Sequence, residues 1–352
     1  MKLTPPGFTV FCEDLESVAF ALEPQFPDFD GARILITGGT GFFGIWLLEC
    51  LLWLIESKNL NLQLFILSRN PEAFLTKRAP HLRNRKGLIF IEGSLTDFKF
   101  HDEDLTHIIH AASEPNIERS DNWAQGHIHS SIDGTRNLLE LATKHRIKSM
   151  LTITSGAVYS PMDSVIDGLS KEGPGNIDDY LSERIVYGQS KRMMEVMSAV
   201  AARAGSFKAA IARCFCFVGP YLALDANYAI GNFMRDAMKG ETIVINGDGT
   251  PMRSYLYPTD LVVWLMTILN KGDSGRPYNV GGDVPISIAE LAELVASRSG
   301  NQVEINIKQS PSNGVKNYYL PDLRRAVDEL GLSVSVDLTT AIDKTFAWYR
   351  EQ

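Results

Sequence analysis

The stretch ILITGGTGFFGIWLLECLLWLI, residues 34–55, begins as an apolar strand-like segment, passes four glycines and continues as an amphipathic helical pattern. Gly38, Gly41 and Gly44 form a Gly-x-x-Gly-x-x-Gly turn between the two segments. Because glycine lacks a Cβ atom, the backbone amides of such a turn and the positive end of the helix can approach a pyrophosphate closely. The turn therefore predicts a dinucleotide site, with a plain tight strand-to-helix connection as the alternative.

Apolar segments alternate with helical patterns along most of the chain. The segments are short and almost continuously apolar, as expected of strands that are covered on both faces. This alternation predicts an α/β fold with a doubly wound parallel sheet, and the position of the glycine turn at its start favours the dinucleotide site. The predicted strands are residues 32–37, 62–68, 87–93, 106–112, 148–155 and 207–213.

The same pattern divides the chain into regions. Residues 1–30 contain several prolines and are expected to form an N-terminal extension on the outside of the next domain. Residues 31–215 carry the alternating pattern and are expected to form the dinucleotide-binding domain. After Cys216 the pattern loosens into loops and isolated helices, so residues 216–352 are expected to form a smaller C-terminal substrate-binding lobe, partly interleaved with the sheet.

Composition excludes several classes of partner. The formal net charge is -8 over 352 residues and no basic block is present, so we expect neither a nucleic acid nor an anionic membrane as partner. The N-terminus lacks the apolar core of a signal peptide, and Glu49 interrupts the longest apolar run. Four cysteines show no paired spacing, which favours a reducing compartment. We therefore expect a cytoplasmic protein without a metal site.

The end of the second predicted strand bears on the choice of dinucleotide. An acidic residue there would bind the adenosine ribose of NAD, whereas an arginine would accommodate the 2′-phosphate of NADP. The sequence reads FILSRNPE, with Ser68 at the acidic position, Arg69 after it and Glu72 only beyond Pro71. The pattern favours NADP, with NAD possible if Arg69 is simply a solvated loop residue.

A tyrosine and a lysine provide the candidate chemistry. Tyr187 and Lys191, in YGQSK, are one helical turn apart, so the ammonium group can stabilise the phenolate and bind the nicotinamide ribose. Alone, this pair could equally be a surface pair. The preceding strand ends in TITSGAVYS, which brings Thr154 and Ser155 to the edge where open α/β sheets build their sites. A hydroxyl there could hold the substrate oxygen while Tyr187 exchanges its proton.

The ordered motifs resemble those of the extended short-chain dehydrogenases/reductases, in the NAD-dependent epimerase/dehydratase group that mostly acts on nucleotide-linked sugars. The resemblance runs from Ala32 to the C-terminus and implies a Rossmann-type sheet. The motifs that carry it are TGGTGFFG, EGSLTD, IIHAAS, DGTRNLLELA, TSGAVYS, YGQSK, RCFCFVGP, NGDGTPMRSYLYPTD and YNVGG.

The resemblance implies roles for individual residues. Ser155, Tyr187 and Lys191 match the catalytic positions, and Cys214 falls near the nicotinamide. The implied cofactor-binding residues are Gly38, Gly41, Phe42, Phe43, Gly44, Ser68, Arg69, Ser94, Leu95, Ala111, Ala112, Lys191 and Phe215. The implied substrate-binding residues are Thr154, Cys216, Asn232 and Arg253, of which the last two match positions that hold a nucleotide diphosphate.

Departures from the family pattern bear on the reaction. Dehydratases of the family carry acidic residues after the catalytic hydroxyl, where this chain has Gly156 and Ala157; the latter also departs from the glutamate of decarboxylases. Ser94 replaces the usual aspartate of the adenine loop, and Cys216 and Ser131 replace asparagines. We interpret Cys216 as a small filler of the interior.

The resulting hypothesis is an NADP-dependent reductase that transfers hydride to C4 of a nucleotide-linked 4-keto sugar. The alternative is a redox-neutral 4-epimerase, or a dehydratase, with tightly bound NAD(P). A reductase of a non-sugar carbonyl or a binding module without catalysis would fit less of the pattern. We also expect a homodimer, for which the apolar stripe Met193–Ala202 is a candidate face, with packing onto the sheet as the alternative.

Overall fold

A seven-stranded sheet forms the centre of the computed structural model, which describes residues 7–101, 104–112, 123–159, 183–226, 228–310 and 317–351. The strands of the chain are β1 Arg33–Thr37, β2 Gln63–Ser68, β3 Leu88–Glu92, β4 His107–His110, β5 Ser149–Ser155, β6 Lys208–Cys214, β7 Cys216–Phe217, β8 Ile243–Ile245, β9 Met252–Arg253, β10 Tyr255–Leu256, β11 Pro277–Val280, β12 Ile286–Ser287, β13 Ile305–Ile307 and β14 Tyr318–Tyr319.

Helices connect these strands. They are α1 Cys12–Leu22, α2 Phe26–Phe29, α3 Phe42–Ser57, α4 Pro71–Lys77, α5 Trp123–His145, α6 Glu183–Ala204, α7 Ala229–Lys239, α8 Pro258–Lys271, α9 Ile288–Arg298, α10 Arg324–Leu330 and α11 Leu338–Arg350.

The central sheet has the strand order β11-β6-β5-β4-β1-β2-β3. Its first strand, β1, pairs in parallel with β2 on one side and β4 on the other, and β3 and β5 extend the parallel pairing outward. The chain therefore builds the sheet outward from β1 first in one direction and then in the other. This change of direction defines a doubly wound sheet and a ligand crevice at the carboxyl ends of β1 and β4. The predicted doubly wound parallel α/β sheet is confirmed.

Apolar packing explains why the predicted strands form. Leu35, Ile108 and Met150 from three adjacent strands are fully buried in one cluster with Leu138 of α5. A strand covered on both faces needs apolar side chains at successive positions, and the sequence supplies them. The sheet interior thus rests on hydrophobic burial, which leaves the polar side chains at the strand ends to build a site.

The start of the chain packs on α3 through both apolar and polar contacts. Phe11 and Leu15 are fully buried between α1 and α3. Glu49, the residue that interrupts the apolar run of α3, is also buried; it accepts a hydrogen bond from Thr9 and lies 2.9 Å from His81 Nε2. A buried carboxylate needs such partners, so Glu49 ties the N-terminal segment to α3.

The chain divides into two compact units. The first comprises Met1–Val158, Asp178–Arg213 and Leu261–Tyr278, and the second comprises Tyr159–Ile177, Cys214–Asp260 and Asn279–Gln352. Helix α8 thus contributes residues 261–271 to the first unit, whereas its first three residues, 258–260, belong to the second. Within the second unit, β9 pairs with β12 and β14, and β8 pairs with β13.

None of the helices in the described part of the chain has the length and apolar character needed to cross a bilayer.

Candidate active site

The glycine turn brings the end of β1 against the end of β4. Gly38 has a φ of +72°, and a Cβ atom placed on it would lie 2.6 Å from both the carbonyl carbon of Ala111 and the amide nitrogen of Ala112. A side chain would therefore be both strained and in collision with backbone. Helix α3 begins after Gly41, whose backbone amide donates to the Gly38 carbonyl. The turn exposes a helix N-terminus of the kind that binds phosphate.

A cavity of about 420 Å³ opens beside this turn in the first unit. It reaches the ends of β1, β2 and β4 and the first turns of α5. Eight of the predicted cofactor residues line it, namely Gly38, Gly41, Ser68, Arg69, Ser94, Leu95, Ala111 and Ala112. Arg69 is the arginine of its described lining, which also contains several glycines and serines. The described lining contains no aspartate or glutamate. The cavity fits an anionic dinucleotide.

The remaining predicted cofactor residues lie outside this lining. Phe42, Phe43 and Gly44 occupy the first turn of α3 directly after Gly41. Lys191 lies on α6, and Phe215 follows β6 in the second unit. Their predicted contacts with the cofactor stay predictions.

A buried histidine, which sequence reasoning did not single out, is hydrogen-bonded to Thr37, a residue of the cavity lining. His110 Nδ1 is hydrogen-bonded to Thr37 Oγ1 at 2.8 Å, and its Nε2 lies 3.2 Å from Thr135 Oγ1. Thr37 Oγ1 also accepts from the Ala112 amide at 3.3 Å. Complete burial, and next the positive charge of Lys191, lower the pKa of His110 to about 3. The neutral ring thus joins β1, β4 and α5.

The catalytic candidates lie on β5 and α6. Ser155, at the last position of β5, accepts a hydrogen bond from the Ala157 amide at 3.1 Å. The α6 backbone approaches the turn that follows: a Cβ atom on Gly188 would lie only 2.4 Å from the Ala157 carbonyl oxygen. Glycine after Tyr187 therefore permits the close contact between helix and turn.

Tyr187 and Lys191 face each other on α6 as their spacing predicts. The Lys191 ammonium lies 5.8 Å from the centre of the Tyr187 ring, and Lys191 is only 3% exposed. A buried cation beside a phenol stabilises the phenolate and so makes proton exchange easier. The pair can therefore act as an acid and base.

Thr154 has a partner inside the protein. Its hydroxyl donates to Glu195 Oε1 at 2.7 Å and approaches the Ala212 carbonyl at 3.3 Å. Neighbouring strand residues point to opposite faces, so Thr154 and Ser155 are directed apart. In the structure Thr154 thus connects β5 to α6, a role that its predicted contact with substrate did not include.

The predicted substrate residues of the second unit fall into two places. Arg253, on β9, donates to the Met252 carbonyl at 2.7 Å, and its guanidinium lies 5.6 Å from the centre of the Tyr319 ring. Phe215 also packs on Tyr319, with 4.8 Å between the two ring centres. Asn232 lies elsewhere, on α7, where its side-chain oxygen accepts from Arg235.

Cys216 is a protonated thiol in this setting. It pairs with Tyr255 across β7 and β10, and burial raises the pKa of the thiol to about 11, with a smaller opposing effect of Arg253. A thiol of this kind is a poor nucleophile. In the described part of the chain, no group of three histidine, cysteine or acidic side chains is arranged to hold a metal.

The fold and the paired tyrosine and lysine define an enzyme of the extended short-chain dehydrogenase/reductase type. The chain belongs to the NAD dependent epimerase/dehydratase family, whose model matches residues 34–281. Membership confirms the resemblance that the motifs indicated.

Similar proteins support the same placement. A dTDP-glucose 4,6-dehydratase of Streptomyces niveus is 24% identical over 324 residues, covering 91% of this chain and 93% of its own. A UDP-glucuronic acid decarboxylase 6 of Arabidopsis thaliana is 28% identical over 306 residues, covering 87% and 85%.

Solved structures share the fold. A UDP-glucose 4-epimerase of Thermotoga maritima, solved with UDP-glucose, superposes with a TM-score of 0.71 at 21% identity, covering 91% of this chain and 99% of its own. DesIV, a dTDP-glucose 4,6-dehydratase of Streptomyces venezuelae solved with NAD and TYD, gives a TM-score of 0.72 at 23% identity, covering 91% and 97%.

Proposed function

We propose that this protein is an NADP-dependent 4-ketoreductase of a nucleotide-linked sugar. The observation that carries the cofactor choice is the end of β2, where Ser68 and Arg69 line the cavity and no carboxylate of the described residues does. An arginine suits the 2′-phosphate of NADP, whereas the ribose of NAD is usually bound by a carboxylate. Several relatives carry the names of enzymes of nucleotide-linked glucose or glucuronic acid, which supports the substrate class.

Three side chains would perform the proton chemistry. A nicotinamide cofactor, when bound, would supply the hydride. Tyr187 donates its proton to the oxygen of the carbonyl that is reduced, and Ser155 donates a hydrogen bond to the same oxygen. The buried Lys191 ammonium stabilises the phenolate that this leaves on Tyr187 and is placed to bind the nicotinamide ribose.

The cofactor would be held by the first unit. The turn at Gly38 and the start of α3 would bind the pyrophosphate, Arg69 the 2′-phosphate, and Ser94 and Leu95 the adenine side of the cavity. Because the backbone of Gly38 lies against that of Ala111, the glycine turn and the end of β4 are close enough to contact the same cofactor.

Gly156 and Ala157 argue against elimination of water. They form the turn directly after Ser155, where a dehydratase of this family would need acidic side chains to protonate the departing hydroxyl group. This turn offers no titratable group, so the reaction that remains is hydride and proton transfer at one carbon.

A redox-neutral 4-epimerase is the second candidate. The names of the curated relatives describe loss of water or of a carboxyl group, neither of which consumes an external reductant. An enzyme of this type would retain an oxidised cofactor and return the hydride to the same carbon.

The deciding experiment follows the absorbance of NADPH, and separately of NADH, with a panel of nucleotide-linked 4-keto-6-deoxy sugars. The proposal expects NADPH consumption that Tyr187→Phe abolishes. Conversion of a nucleotide hexose to its C4 epimer without added reductant would overturn the reductase in favour of the epimerase.

We further propose a cytoplasmic homodimer. The four cysteines form no disulfide, which fits a reducing compartment. On α6, Met193, Val196 and Val200 lie at helical spacing and are each about half exposed or more, and Ile128 of α5 is 46% exposed. Apolar side chains exposed on one face favour association. Val196→Lys is expected to shift the protein from dimer to monomer in sedimentation velocity, and a wild-type monomer would contradict the proposal.

A further inference from the structure

His127 occupies a position next to Tyr187 that the proposed mechanism does not use. It lies on α5, and its imidazole stacks on the Trp123 indole, with ring centres 5.3 Å apart and an angle of 15° between the planes. The ring of Tyr187 lies at the same centre-to-centre distance of 5.3 Å, tilted by 34°. Its neighbours in α5, Gly126 and Ser130, line the cofactor cavity.

The hydrogen bonding of His127 differs from that of the other buried histidines. His127 has no exposed surface, yet neither Nδ1 nor Nε2 has a hydrogen-bond partner among the described residues. His107 is hydrogen-bonded to Thr106, and His110 is hydrogen-bonded through both nitrogens. A buried polar group without a partner is destabilising, and such groups are rare in native proteins.

The charge of the ring restricts what it can bind. Burial first, and then the positive charge of Lys191, lower the pKa of His127 to about 4. At neutral pH the imidazole is therefore uncharged and offers one N–H donor and one acceptor nitrogen. Either nitrogen can pair with a hydroxyl group, which both donates and accepts, whereas an ionised phosphate could pair only with the N–H.

Stacking determines which part of the ring is available. Trp123 covers one face, and Tyr187 packs at a tilt against the ring, so hydrogen bonding is left to the edge that carries both nitrogens. This edge belongs to a ring in contact with the residue that exchanges the proton.

We propose that His127 is a substrate-binding residue whose imidazole edge hydrogen-bonds a hydroxyl group of the sugar held at Tyr187. This inference rests on the proposed function and adds a residue to its sugar site. It also gives a partner to one of the two buried nitrogens, which the hydroxyl group of the bound sugar would satisfy.

The test compares binding of nucleotide sugars with binding of the nucleotides alone. His127→Phe keeps an aromatic ring for Trp123 and Tyr187 but removes both nitrogens. Calorimetry is done on protein saturated with NADP⁺, with Tyr187→Phe in both proteins so that no turnover occurs. The probes are UDP-glucose, dTDP-glucose and GDP-mannose, each beside UDP, dTDP and GDP. Thermal unfolding of the ligand-free proteins is measured in parallel.

We expect His127→Phe to weaken binding of the nucleotide sugar by about tenfold, equivalent to one lost hydrogen bond, with unchanged affinity for the matching nucleotide. The melting temperature of the ligand-free protein is expected to stay the same or to rise, because the nitrogens have no partner to lose.

Each of four results would overturn the inference. Unchanged affinity for the nucleotide sugar, or an equal loss for sugar and nucleotide, removes the sugar contact. A lower melting temperature of His127→Phe shows that the nitrogens serve the fold. If the protein that retains His127 binds none of the probes, the nucleotide-sugar function itself is rejected, and the inference with it. This outcome is distinguishable from failure of the inference alone, because it is seen without the His127→Phe variant.

Discussion

Arg213 donates two hydrogen bonds to the carboxylate of Glu195, from Nε to Oε1 at 2.9 Å and from Nη2 to Oε2 at 2.7 Å. Both side chains are almost completely buried. Glu195 lies one turn after Lys191 and two turns after Tyr187, on the same face of α6. The ion pair therefore fixes the helix that carries the proton-transfer pair to β6, and Thr154 adds a contact to β5.

Breaking this ion pair is expected to destabilise the first unit strongly. Glu195→Ala leaves the Arg213 charge buried without its carboxylate, which costs about 3–5 kcal/mol of unfolding free energy. Urea unfolding measures the loss. The double variant Glu195→Leu with Arg213→Met removes both charges and is expected to recover most of the stability. A single variant that loses less than about 1 kcal/mol would show that the pair does not anchor the helix.

Gly38→Ala is expected to abolish dinucleotide binding. The new Cβ atom would meet the Ala111 and Ala112 backbone at 2.6 Å, and the positive φ adds about 1–2 kcal/mol of strain. Gly126→Ala is the matched control, because Gly126 lines the same cavity and a Cβ atom there would meet nothing within 4 Å. Calorimetric titration with NADP⁺ compares the two variants, and wild-type affinity in Gly38→Ala would contradict the close approach.

Arg69→Ala is expected to reduce the preference for NADPH over NADH. Loss of a charge-assisted hydrogen bond of about 1.5–3 kcal/mol corresponds to roughly a tenfold to hundredfold change in the ratio of dissociation constants. Arg83→Ala serves as control, because Arg83 lies on the surface in an ion pair with Glu72 and does not line the cavity. An unchanged ratio in Arg69→Ala would remove the basis for the NADP assignment.

Stability is expected to fall in acid because of three buried histidines. Burial, aided by nearby lysines, lowers the pKa of His107 and His127 to about 4 and that of His110 to about 3. Between their ordinary pKa of 6.5 and these values the unfolded chain binds more protons than the folded one, so the unfolding free energy decreases as pH falls.

The size of this effect is about 1.4 kcal/mol per pH unit for each histidine below pH 6.5. Urea unfolding between pH 7 and pH 5 measures it. His107→Asn is expected to reduce the slope of unfolding free energy against pH by the contribution of one proton, about 1.4 kcal/mol per pH unit. A slope that is the same in wild type and His107→Asn would show that His107 is not held neutral by the fold.

Six of the seven strands of the central sheet could be predicted because each is a nearly continuous apolar run, whereas the short strand β11, Pro277–Val280, was not predicted. Residues 148–155 were expected as a strand and Ser149–Ser155 form one; residues 106–112 were expected and His107–His110 form the regular part. Ala111 and Ala112 follow the strand, with the Ala111 amide still donating to the Thr37 carbonyl and both residues lying against the Gly38 backbone. Strand ends are set by such contacts, which local periodicity does not contain.

The parts of the site that depend on distant residues could not be predicted in this way. Glu195 and Arg213 belong to a helix and to the following strand, and neither residue stands out in a sequence pattern. His127 occurs within a polar helical segment, HIHSSIDG, whose spacing gives no indication of a stacked and buried ring. By contrast, Tyr187 and Lys191 were predictable because one helical turn separates them.

The strand order also has a consequence for synthesis of the chain. Strand β6 ends at Cys214, but its outer neighbour β11 begins only at Pro277, after the segment Cys214–Asp260 of the second unit. While the intervening chain leaves the ribosome at about 5–20 residues per second, β6 has an open edge of unpaired amide and carbonyl groups for several seconds. The nascent chain thus passes through an aggregation-prone interval that ends when β11 emerges and closes that edge.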